Sequence, residues 1–244
     1  MGAQSSQQPK VFQLISNGEA SKIKDLMRND PQALSKRSLG GETVLHFAVV
    51  SEPGDEAKCM NSLLDGSGFD LNALNASGST ALHRAASLGR TQAMKQLLMS
   101  GAKTDILNGD GQTALHLATL GNHVACIEAA AACWINMDVP NEQTQTPLHV
   151  AASIGSTACV KALLAGRADV NKINGEGQTA LHIAVPRGDK DIVDALMLAG
   201  ADPQIQDVML RTPGSSALPE ASPDSEGVGA PWQVSNQALR AVQT

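Results

Sequence analysis

Imidazole is the side chain best suited to proton transfer and metal ligation near neutral pH, and the chain carries six: His46, His83, His116, His123, His149 and His182. Five of them close one repeated phrase: Thr43-Val44-Leu45-His46, Thr80-Ala81-Leu82-His83, Thr113-Ala114-Leu115-His116, Thr146-Pro147-Leu148-His149 and Thr179-Ala180-Leu181-His182. Successive phrases lie 37, 33, 33 and 33 residues apart, and one residue separates each from an alanine, Ala48, Ala85, Ala118, Ala151 or Ala184. The spacings that would turn such side chains to chemistry are not present: no HExxH for zinc, no GxxxxGK[ST] for phosphate, no GxSxG nucleophile elbow. The cysteines, Cys59, Cys126, Cys133 and Cys159, form no CxxC pair. Cys126 and Cys159 are one period apart, so they occupy the same place in successive units and are expected to be small, buried and inert. A reduced, intracellular setting is the expectation that follows.

A fixed period of this length means a stacked array. The phrase resembles the Thr-Pro-Leu-His-x-Ala motif of the ankyrin repeat, and the resemblance covers most of the chain. It implies an all-α repeat solenoid, helix-turn-helix units joined by hairpin-like fingers. In that family the motif imidazole ties turn to helix by hydrogen bonds to backbone, a structural duty that leaves no histidine for catalysis. His123 alone stands outside the motif, at the start of a second helix, where the family often has histidine.

Composition agrees with an array. Apolar residues make up 42% of the 244, but aromatics only 2%, which suits a thin layer of aliphatic side chains between neighbours better than one large core. The net charge of −6 is scattered without basic runs, which argues against a nucleic-acid partner. No stretch reaches 18 apolar residues, so no membrane-spanning helix is expected. Met1 to Pro9 lacks the apolar core of a secretory signal, and the protein is expected to stay where it is made.

Each period reads as two helices. The first starts at the motif threonine, whose hydroxyl caps the N-terminus. The second carries apolar pairs at helical spacing, such as Ala93-Met94 with Leu97-Leu98 and Ile192-Val193 with Leu196-Met197. A turn follows, as in Gly200-Ala201-Asp202, and then a finger with Gly41, Gly78, Gly111 or Gly177 near its tip. The reading divides the chain into a flexible N-terminus (1–10), a repeat domain (11–212) and a mostly disordered Pro/Ser/Gly-rich tail (213–244), interrupted by a short helix near Gln237 to Val242. Val11 to Leu34 reads as a capping repeat, and Thr212-Pro213-Gly214-Ser215 as the start of an eroded one. An insertion, Ser51 to Glu56, bulges between the helices of the second repeat. Ser222 and Ser225 in the tail are candidate phosphorylation sites.

The fourth motif repeat has Ala130-Ala131 where its neighbours have paired leucines, and Trp134 where they have the capping glycine. Either Trp134 folds back over the alanines, or it stands exposed as a binding anchor.

The residues expected on the inner curve are Phe47, Arg84, Leu117, Val150 and Ile183, with Leu88, Leu120, Ile154 and Arg187 further along the first helices. The finger tips add Asn75, Ser77, Asn108, Asp110, Glu142 and Glu176. These are the candidate protein-binding residues. No catalytic, metal or cofactor-binding residue is assigned. Met1-Gly2-Ala3-Gln4-Ser5-Ser6 fits the M-G-x-x-x-[ST] acceptor for N-myristoylation at Gly2. A single acyl chain gives reversible membrane affinity of about 10⁴ M⁻¹.

The function expected is a non-enzymatic adaptor that binds an unidentified protein, located in the cytoplasm, where an acyl chain can hold it at the cytoplasmic face of a membrane. The alternative is a soluble inhibitor that masks a partner's active site or localisation signal. The acidic, Pro- and Ser-rich tail is loosely similar to that of the inhibitors of NF-κB.

Overall fold

The motif threonines lie in extended backbone one residue ahead of each first helix, Thr80 at φ −87°, ψ 168° and Thr113 at φ −80°, ψ 165°. Thr80 Oγ1 accepts the backbone N–H of His83, which satisfies one donor that the helix start would otherwise orphan. Alanine or proline follows, and with β-branched residues few, the short helix forms on a stripe of Leu and Ala.

The computed structural model describes residues 9–30, 36–38, 40–50, 56–64 and 70–215. It comprises two units, residues 1–135 and 136–244. Among the described residues the first holds four helix pairs: α1 (Lys10–Ser16) with α2 (Ala20–Asn29), α3 (Val44–Val50) with α4 (Glu56–Leu64), α5 (Ala81–Ser87) with α6 (Thr91–Met99), and α7 (Ala114–Leu120) with α8 (Val124–Ala132). The second holds α9 (Pro147–Ile154) with α10 (Thr157–Ala165), and α11 (Ala180–Arg187) with α12 (Lys190–Leu198). No strand occurs among the described residues.

Within each unit, first helices pack on first helices and second on second: α1 on α3, α3 on α5 and α5 on α7, with α2, α4, α6 and α8 alongside; in the other unit α9 packs on α11 and α10 on α12. The motif alanines Ala48, Ala85, Ala118, Ala151 and Ala184 are fully buried, so a larger side chain there would force neighbouring helices apart. Leu45, Leu82, Leu148, Met94, Leu97 and Leu163 are also buried, each contributing about 1.5–3 kcal/mol by leaving water.

The N-terminal pair lacks the threonine cap: Pro9 precedes α1 without a side-chain hydrogen bond. It is held instead by Val11, Phe12, Ile15 and Ile23, all buried. Phe12 meets Phe47 edge to face, ring centres 4.8 Å apart. Of the expected insertion Ser51 to Glu56, Glu56 is the first residue of α4; residues 51–55, the N-terminal residues 1–8 with Gly2, and the tail from 216, with Ser222 and Ser225, lie outside the described residues.

Trp134 does not fold over the alanines of α8. It is 78% exposed, with φ at +55°, while Ala130 is fully buried. The turn after α8 keeps the left-handed geometry that Gly101 and Gly200 give the equivalent turns, and this geometry directs the indole outward instead of back along the helix.

Candidate protein-binding surface

The histidines come first, because their geometry decides what remains for recognition. In His83, Nδ1 faces the Thr80 backbone N–H at 3.2 Å and Thr80 Oγ1 at 2.8 Å. His46, His149 and His182 repeat this with Thr43, Thr146 and Thr179. A nitrogen that accepts a backbone N–H carries no proton, so the proton sits on Nε2. Nε2 then donates forward into the next finger: His46 to Ser79 O (2.8 Å), His83 to Gln112 O (3.0 Å) and Ile106 O (3.0 Å), His149 to Gln178 O (2.8 Å), and His182 to Arg211 O (3.1 Å). Burial holds the imidazoles of His46, His83 and His149 below the ordinary value, and each stays neutral as a brace between repeats. The family resemblance foretold bonds to backbone; the structure adds that they reach the following repeat.

His123 Nε2 lies 3.1 Å from Ser87 O, with its ring between Gly89 and Gly121. A Cβ on either glycine would come within 2.6 Å or 2.5 Å of the ring. Among the described residues no group of His, Cys, Asp and Glu is placed to hold a metal. Cys126 and Cys159 are buried, and burial pushes the Cys159 thiol up, away from the reactive thiolate.

The fingers are built on a second periodic residue: Asn75, Asn108, Asn141, Asn174 and Asp207, each 33 residues from the next. Asn108 Oδ1 accepts the N–H groups of Asp110 (3.0 Å) and Gln112 (2.9 Å), and Asn174 Oδ1 those of Glu176 and Gln178 (2.9 Å each). Asn75 does the same for Ser77 and Ser79. Such side chains close the turn on itself. Asn75 and Asn108 therefore shape the tip, whereas Ser77, Asp110, Glu142 and Glu176 are exposed on it. Asp207 adds both Nε and Nη2 of Arg211 (2.9 and 2.7 Å), and this hydrogen-bonded guanidinium holds its carboxyl below the usual range.

Along the first helices the candidates divide by exposure. Leu88, Leu120 and Ile154 are exposed; Phe47, Arg84, Leu117 and Ile183 are half-buried; Val150 is buried and offers no partner a side chain. Arg84 pairs with Glu42, and Arg187 Nε pairs with Asp189 Oδ2 at 2.7 Å while its guanidinium lies against Gly155. Exposed apolar residues also occur where no candidate was expected: Val50 after the motif, Leu74 and Leu107 one period apart on successive fingers, Ile173 in the second unit, and Val208-Met209-Leu210 at the last tip. Leu74 and Leu107 are 33 residues apart and Ile173 lies two periods further, with Pro140 between, a recurrence visible in the sequence. Their exposure is not, because an aliphatic residue in an array reads as core until its neighbours are placed. Singly exposed leucines are ordinary on any surface; contiguous rows on one edge mark recognition.

A family model described as "Ankyrin repeats (3 copies)" matches residues 11–108, 45–131, 83–174 and 129–207. No curated protein matches the sequence. Among solved structures, the ankyrin repeat domain of Bcl-3, described as a unique member of the IkappaB protein family, superposes with a TM-score of 0.77 at 25% identity, over 88% of this chain and 96% of that one. The human ASB11 ankyrin repeat domain gives 0.66 at 25% identity, over 88% and 94%.

Proposed function

The chain belongs to the ankyrin repeat family, and we propose that it is a non-enzymatic adaptor that binds a protein partner through its finger tips and the exposed residues of its first helices. Repeats of this kind are generally non-catalytic binding modules, and a shared frame names no partner by itself. One observation carries the proposal: the polar residues with chemical potential, the motif imidazoles and the periodic Asx side chains, are engaged in holding the frame, while Leu88, Leu120, Leu74 and Leu107 stand in water. We assign the repeat domain to 11–212 on the motif spacing. Among the described residues no helix is long and apolar enough to cross a membrane. Attachment to the cytoplasmic face of a membrane would come from myristoyl at Gly2, on the strength of its acceptor motif.

Capture from lysate with the full chain and with a Leu88→Ser/Leu120→Ser variant tests the surface. The variant should keep its helical content and lose the partners that the parent retains; an identical set of partners would refute this surface. A Gly2→Ala chain should move to the soluble fraction. If it distributes as the parent does, acyl tethering is wrong.

A second reading is a soluble inhibitor that masks a partner's active site or localisation signal, supported by the loose similarity of the acidic, Pro- and Ser-rich tail to that of the inhibitors of NF-κB. Gly2-independent binding that blocks the partner's activity would support it over the adaptor.

A further inference from the structure

At two of the finger tips the asparagine that closes the turn is followed by glycine, Asn108-Gly109 and Asn174-Gly175. One other Asn-Gly pair occurs, Asn17-Gly18 at the end of α1. The equivalent tips have Asn75-Ala76, Asn141-Glu142 and Asp207-Val208. Packing dictates the glycines: a Cβ on Gly109 would stand 2.6 Å from Ser77 O, and one on Gly175 2.6 Å from Thr144 Oγ1, each in the preceding finger. The frame thus installs the dipeptide whose unhindered backbone nitrogen most readily attacks the side-chain amide before it.

The geometry favours that attack in one respect and restrains it in another. Oδ1 of Asn108 faces the N–H groups of Asp110 at 3.0 Å and Gln112 at 2.9 Å, and Oδ1 of Asn174 faces those of Glu176 and Gln178 at 2.9 Å each. Negative charge builds on this oxygen when Cγ is attacked, and the donors already point at it. The amine that must leave is held loosely, 3.4 Å from Asp110 Oδ2 in one tip and 3.4 Å from Gln178 Oε1 in the other. The restraint falls on the nucleophile. Gly109 donates its N–H to Ser77 O at 3.0 Å, and Gly175 donates to Thr144 Oγ1. The far end of each tip is clasped by an imidazole, His83 on Gln112 O and His149 on Gln178 O.

We propose that Asn108 and Asn174 are modification sites, at which the chain deamidates itself when the finger lifts from its neighbour. The glycine nitrogen gives its proton to solvent and bonds to Cγ, the Cγ–Nδ2 bond breaks, and Nδ2 takes a proton from water and leaves as ammonia. Water then opens the succinimide to aspartate or isoaspartate. Aspartate keeps the tip closed, because Asp207 Oδ1 accepts the N–H groups of Met209 and Arg211 at the equivalent place, at 2.9 Å each. Isoaspartate does not: the backbone gains a methylene, the carboxylate moves to Cα, and two N–H groups lose their acceptor. Two tips therefore age, and their rate is set by local opening.

The full chain, incubated at pH 8 and mapped by peptide mass, shows each amide lost as the acid. Asn108 and Asn174 should convert while Asn75 and Asn141 do not. His83→Gln should speed Asn108 several-fold and leave Asn174 at the parent rate, and His149→Gln should do the reverse. Thr144→Gly removes the acceptor of Gly175 N–H and suits the positive φ of residue 144, +62°. It should speed Asn174 alone, which decides the matter if a histidine variant loses helical content. Asn17, outside the fingers, should keep one rate throughout. Amides intact at 108 and 174 in the folded chain but lost in urea overturn the proposal, as does conversion of Asn75 or Asn141 at the same pace. Equal acceleration of both tips by any of these variants overturns the finger as the gate.

Discussion

Arg84 Nη1 lies 2.8 Å from Glu42 Oε1, joining the first helix of one repeat to the finger of the repeat before it. The same Glu42 oxygen accepts Asn75 Nδ2 at 3.1 Å, so the arginine is part of the frame as well as of its surface. Arg84→Glu would set two carboxylates side by side and confound any binding assay. We expect Arg84→Met to cost about 1 kcal/mol or less, since the arginine is partly in water, and Arg84→Glu to cost more. A charge swap, Glu42→Arg with Arg84→Glu, should recover part of that loss in urea melts. If Arg84→Glu alone is as stable as the parent, the pair contributes nothing to the fold.

The tip asparagines and their neighbours should behave oppositely. Asn108→Ala leaves two backbone N–H groups without their acceptor and should cost about 1–3 kcal/mol. Asp110→Ala, two residues on and exposed, should stay within about 0.5 kcal/mol. Equal effects in thermal melts would show that Asn108 does not close the tip.

Stability should fall as the solution is made mildly acidic. Burial lowers the folded-state values of His46, His83 and His149 below the ordinary 6.5, so the unfolded chain takes up protons first. Their contribution is fully present above 6.5 and is lost as pH drops from there towards the folded values. Asp138, raised chiefly by burial from 3.8, has the opposite sign, but it acts only below its own folded value, at the acid end. Urea titrations from pH 7.5 to 5 should show the decline, and His149→Gln should flatten it. A profile level across this window would mean that the rings are not held neutral.

Gly89 has φ +66°, and an added Cβ would meet the His123 ring at 2.6 Å. Gly89→Ala should therefore destabilise by at least the roughly 1–2 kcal/mol of a left-handed non-glycine residue, with His123 displaced from Ser87 O. Chemical shifts of the His123 ring that match the parent would exclude that displacement.

The frame was legible because Thr-x-Leu-His encodes a cap and a brace within four residues, and the 33-residue spacing encodes the stacking. The fingers were only half legible. Asn75 and Asn108 recur with Asn141, Asn174 and Asp207, yet a lone asparagine suits a turn and a partner equally, and only the paired bonds to Asp110 and Gln112 decide for the turn. Exposure was the least legible property. Val150 and Leu117 both follow a motif histidine, but the first is buried and the second half-buried. The alanines of α8 suggested a void for Trp134 to fill, but the left-handed backbone of the turn sends the indole to solvent.

Every described imidazole tie from a motif histidine points the same way along the chain, from His46 to Ser79, His83 to Gln112, His149 to Gln178 and His182 to Arg211. The two termini are thus not equivalent under stress. Peeling the last finger strips one ring of its acceptor and hands the loss backward, whereas detaching the first helices costs no ring its carbonyl. Fraying in this molecule should have a direction, with damage at the carboxyl side travelling inward one clasp at a time.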